Sequence, residues 1–175
     1  MAIKDIDKIC RSLISYLDEK GIQFSRASWE ELEEKAVAEF SFDMRVPPSI
    51  LCGQFKDSIK EIISIAHEVG HVMTYKKMSR DKARIYLCSM FAAHGIGLDE
   101  ISASGREFIL QVEADASAQS FALLKGMGLD GDDLEVVAKL LAQWFSTYEE
   151  ACNEEVVKKV RERIISDETT AWLVS

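Results

Sequence analysis

Two of the three histidines in this 175-residue chain, His67 and His71, stand four residues apart in "HEVGH" with Glu68 beside the first. On a helix, side chains at i and i+4 leave the same face one turn apart. Two imidazole nitrogens so placed can close on one metal ion at about 2.0–2.1 Å each. Glu68, about 100° round the helix, sits next to such an ion without ligating it, where it can take a proton from a bound water. The flanking residues are strongly apolar: Ile59, Ile62, Ile63, Ile65, Ala66, Val69, Val72 and Met73. Polar groups in that setting lose hydration and need a compensating partner. A chance pairing of surface residues is the plain alternative, and the scarcity of histidine argues against it.

The element carrying the pair is expected to be a helix from about Ile59 to Lys77, capped by Ser58 and Glu61. Before it, periodicity predicts a helix over Lys4 to Lys20, striped by Ile6, Ile9, Cys10, Leu13, Ile14 and Leu17 and ended by Gly21. Ser28 and Glu31 predict a second short helix. Alternation in "AEFSFDMR" and the short run "SILCG", separated by "VPP", predicts two strands. After the histidine helix, further helices are expected from Asp81 to His94, stopping at "GIG", and from a capping box at Ser104 and Glu107 to Lys125. Two more follow, one near Leu134 after "DGDD" and a last one, restarted by Ser146 and Glu149, to about Ile165. The fold expected is α+β and predominantly helical, one domain over 1–175, with a short antiparallel sheet packed on the histidine helix.

His67, Glu68, Gly70 and His71 resemble the active-site helix of zincin metallopeptidases. The order of elements, with "EADASAQSFALL" on a later helix, is similar to that of the small intracellular ImmA/IrrE-like metallopeptidases. The resemblance implies a zincin-like domain with one Zn2+ held by His67, His71 and a downstream carboxylate of the gluzincin type. Glu68 would then be the general base in hydrolysis of a peptide bond. It also implies a narrow regulatory protein or peptide as substrate.

A zinc hydrolase takes three protein ligands and a water. No third histidine closely follows His71, and His94 falls at the far end of the next helix. Matching the family's pattern on "QVEADASAQSFALL" leaves three registers open, with Gln111, Glu113 or Asp115 at the ligand position. Helix geometry puts Ile109, Leu110, Ala116, Ser117, Ser120 and Leu124 on the side of Glu113. Asp115 shares the roughly opposite side with Phe108, Gln111, Ala118, Gln119 and Ala122. A carboxylate on an apolar face is costly unless paired or metal-bound, which favours Glu113, with Asp115 as the alternative. Tyr75, Tyr86, His94 and Tyr148 are candidate donors to a developing oxyanion. The strand "AEFSFDMR" is a candidate edge for an extended substrate.

Composition narrows the remaining classes. With 47% hydrophobic residues the chain can form a core, and a net charge of −9 disfavours a nucleic-acid partner. No run is long enough for a membrane span, and the N-terminus has no signal-peptide centre. Cys10, Cys52, Cys88 and Cys152 form no CxxC pair, as expected of reduced cytoplasmic thiols. The competing functional reading is a catalytically silent module of the same fold that binds a partner protein.

Overall fold

The first helix, α1 (Ile6–Glu19), buries Ile9, Leu13 and Leu17 at a spacing of four and leaves its polar side to solvent. Gly21, at φ 63°, ends it, and the amide of Ile22 returns to the Leu17 carbonyl at 2.9 Å. The computed structural model describes residues 6–26, 38–41, 48–53, 55 and 57–174, the side chains of 38–41, 91 and 93–96 excepted. The short helix expected at Ser28 lies outside those residues, as does the second half of "AEFSFDMR".

Three short strands follow: β1 (Gln23–Arg26), β2 (Ala38–Ser41) and β3 (Ser49–Cys52), in spatial order β1-β3-β2. The expected antiparallel sheet is corrected to a mixed one. β2 runs antiparallel to β3, with Ala38 opposite Cys52, whereas β1 runs parallel to it, with Gln23 opposite Ser49. A parallel pair needs a crossover of about a dozen residues or more, and the stretch 27–48 supplies it. β3 buries Ile50 and Cys52 completely, the alternation that a half-buried strand requires.

The long helix α2 (Ser58–Lys77) packs against β2 and β3 on one side and α1 on another. Its cap is Asp57, one residue before the expected Ser58, with Oδ1 accepting from the Ile59 amide at 2.9 Å. Glu61 instead pairs with Arg26, tying β1 to the first turn of α2. Next come α3 (Arg80–Ile96), stopped by Gly97 at φ 95°, and α4 (Ala103–Gly126). Ser102, not Ser104, caps α4, its Oγ accepting from Gly105 N at 3.1 Å. Glu107 is no capping partner: it receives Lys159 and Arg163 from the last helix. α5 (Gly131–Glu150) continues through Ser146, whose hydroxyl donates back to the Gln143 carbonyl, so the expected restart does not occur there. Asn153 opens α6 (Glu154–Ser166).

α4 is the hub, packed against α2, α3, α5 and α6. One core joins Ile62, Ile65, Val69, Leu110, Leu124, Leu141 and Ile164, all at most 2% exposed. The architecture is α+β and predominantly helical. Among the described residues, no helix is long and apolar enough to cross a membrane.

Candidate metal centre

The glycine in "HEVGH" sets the geometry. A Cβ built on Gly70 would lie 2.1 Å from the Ala116 carbonyl oxygen, so α2 and α4 meet backbone to backbone at this point. Gly70 lies three residues after His67, and Ala116 three residues after Glu113. This contact therefore lies within one turn of all three polar side chains, next to His71 and three residues from His67 and Glu113. Ala114, Ser117 and Ser120 keep the rest of that surface of α4 small and buried.

His67 Nε2 and Glu113 Oε2 are 3.2 Å apart, the two histidine Nε2 atoms 3.2 Å, and His71 Nε2 and Glu113 Oε2 3.3 Å. The side chains are 13%, 8% and 2% exposed in the order His67, His71, Glu113. A tetrahedral ion at about 2.0–2.1 Å from each ligand spaces its ligand atoms about 3.3–3.4 Å apart. The near-equilateral triangle matches that spacing, and its donors, two imidazole nitrogens and a carboxylate oxygen, suit a borderline-soft divalent ion. This buried His-His-Glu group could hold a metal ion.

The charges are strongly coupled. Burial pulls the His71 imidazole down, but the charge and hydrogen bond of Glu113, with the charge of Glu68, carry it up to about 9. Burial pushes Glu113 up, and His71 and His67 together outweigh it and draw the carboxyl down to about 2. Glu113 is thus an anionic acceptor held between two imidazoles. Cys52, by contrast, is pushed up to about 11, chiefly by burial, and stays a thiol.

The two histidines are supported unequally. His71 Nδ1 faces the Tyr86 hydroxyl at 3.5 Å, on the far side of the ring from Nε2. His67 Nδ1 is buried with no hydrogen-bond partner among the described residues, and its ring lies edge-on to Trp144 at a centroid distance of 6.1 Å.

Of the other residues singled out by sequence, Glu68 is half-buried on α2, and its charge raises His71, Tyr86 and Tyr148. Tyr148 on α5 feels the Glu113 carboxylate, whose charge, with burial, pushes the phenol well above its usual range. Tyr86 serves as a support to His71. Tyr75 lies in a small apolar cluster with Ala83, Tyr86 and Val112. The side chain of His94 is outside the described residues. Asp115 does not join the triangle; its Oδ1 accepts from Gln111 Nε2 at 3.0 Å on another face of α4. The roles of Gly70 and Ala116 in helix contact, and of Trp144 against His67, were not read from the sequence. The small-residue run "EADASAQS" is the signal that could have revealed the contact.

Compared with family models, curated proteins and solved structures, the chain matches none.

Proposed function

We propose that this chain is a zinc-dependent metallopeptidase in which His67, His71 and Glu113 hold the ion and Glu68 is the general base. The observation that carries the reading is the convergence of the three ligand atoms at 3.2–3.3 Å, with Glu68 next to His67 in the chain. Zinc in such a donor set supplies an acidified water and a Lewis acid for a carbonyl. Glu68 takes a proton from the attacking water and returns it to the leaving amine. Tyr148 orients the Glu113 carboxylate, and Tyr86 fixes the ring of His71. The zincin-like motif and the order of elements support assignment near the ImmA/IrrE-like peptidases, with a narrow regulatory protein as substrate. A cytoplasmic setting suits Cys10, Cys52, Cys88 and Cys152, all of them free.

The test is Glu68→Gln. The purified variant is expected to keep one zinc per chain by elemental analysis, while cleavage of a peptide library falls by about 10²–10⁴-fold. Cleavage at the parental rate would overturn the assigned base, and parental protein without zinc would overturn the metal reading.

A further inference from the structure

Among the described residues, two large hydrophobic side chains are exposed, Ile85 on α3 at 53% and Ile165 on α6 at 63%. A single exposed apolar residue is ordinary, so the setting of each is what matters. Ile85 adjoins the most basic stretch of the chain. Lys76, Lys77, Arg80, Lys82 and Arg84, all exposed, stand there against one acid, Asp81, in a chain whose net charge is −9. Ile85 follows Arg84 directly and Lys82 by three residues, so hydrophobe and cations share the outer surface of α3.

Ile165 has the opposite setting. It lines a groove of about 710 Å³ between the end of α5 and α6, with Cys152 and Val157 as half-buried apolar neighbours. Glu150, Glu154 and Glu162 are exposed along the same groove. Of its two cations, Arg161 is held by Glu149, with Nε and Nη2 each 2.7 Å from a carboxylate oxygen. Lys158 is left to face three acids. The groove is thus apolar within and net negative around, whereas α3 offers an apolar side chain among net positive charge. A nucleic acid or an anionic membrane would reach past the short basic stretch onto a surface that is net negative. The groove of a second copy presents its acids over a stretch of matching length.

We propose that α3 of one copy of this chain docks through Ile85 into the α5–α6 groove of a second copy, with Lys82 and Arg84 set against the acids of that groove. The apolar contact supplies affinity, and the opposite charges set the register and speed the encounter. Two different surfaces meet, so the association is head to tail, and each added copy still presents one patch and one groove. The contact uses none of the residues of the candidate metal centre and stands whether or not the chain holds zinc.

The test is sedimentation of the full chain over a concentration series reaching about 1 mM. The average mass is expected to rise above the 19.7 kDa of one chain. Raising the salt from about 0.05 to 0.5 M should weaken the association by about tenfold. A patch variant carries Arg84→Glu with Ile85→Ser, and a groove variant carries Glu162→Lys with Ile165→Ser. All four side chains are exposed, so both variants are expected to fold normally. Each alone should stay at the mass of one chain. Mixed in equal amounts they should form a pair and stop there, because the groove of the first and the patch of the second are both intact. The proposal is overturned by a parent that is monomeric at about 1 mM, by either variant associating alone as the parent does, or by a mixture that stays monomeric.

Discussion

Glu113 and Asp115 are two residues apart on α4, yet they belong to different worlds. On the side of Glu113, three polar atoms from two helices close to 3.2–3.3 Å, and the acid is 2% exposed. On the side of Asp115, the nearest partner is Gln111 of the same helix, and the other charged groups are spread round a 300 Å³ cavity. The helical period already sets the two on roughly opposite sides of α4. The difference comes from α2, whose backbone touches α4 at Gly70 and Ala116 and so brings two imidazoles onto one face only. Convergence, more than the presence of acids, marks the candidate metal centre.

The sharpest way to test the contrast is to remove each acid in turn. Structural zinc sites are worth about 10–16 kcal/mol in all, so one ligand of three or four carries roughly 3–4 kcal/mol. Glu113→Ala should therefore weaken zinc binding by roughly two to three orders of magnitude, measured by competition with a chromophoric chelator. Asp115→Ala should change it by less than about threefold, being outside the triangle. Equal losses from the two variants would erase the distinction.

The second test moves the helices instead of the ligands. In Gly70→Ala the new methyl meets a carbonyl oxygen of the facing backbone, which cannot rotate away as a side-chain end can. Overpacking of this kind costs about 1–3 kcal/mol, and the upper end is expected here. Urea denaturation should show that loss, and zinc affinity should fall with it as Glu113 is carried off the histidines. Gly126→Ala is the control, because a Cβ there meets nothing within 4 Å. Its stability should be unchanged or slightly raised. A Gly70→Ala protein as stable as the parent would show that the helix contact does not set the site.

How much of this was legible in the sequence follows from the range of each interaction. The histidine pair and the side of α4 that carries Glu113 both follow from a helical period, which the chain displays over many residues. The placement of β1 did not. "QFSR" exposes or half-exposes all four residues, so it lacks the alternation that marks a strand, and only its pairing with β3 makes it one. Caps slipped for a related reason. Asp57 beside Ser58, and Ser102 near Ser104, offer rival oxygens within one turn, and the tertiary path of the chain decides between them. Tyr86 and Tyr148 were singled out as donors to substrate, but which atom each hydroxyl meets depends on how α3 and α5 cross α2 and α4, which no local pattern records.

The smallest expected effect concerns the unequal support of the two histidines. The Tyr86 hydroxyl is the group within hydrogen-bond range of His71 Nδ1, and His67 Nδ1 has no such partner among the described residues. Outer partners of metal-binding histidines are typically worth about 10–100-fold in affinity, and at 3.5 Å this one belongs at the low end. Tyr86→Phe keeps the buried ring and its packing on Phe108 while deleting the hydroxyl. Zinc affinity should fall about tenfold, or about 1.4 kcal/mol, with little change in the urea midpoint of the metal-free protein. A loss of stability without a loss of affinity would make Tyr86 a core residue that happens to touch His71. A loss of affinity alone would show that the metal centre extends through His71 into α3, so that the convergent side of α4 is held by three helices and not two.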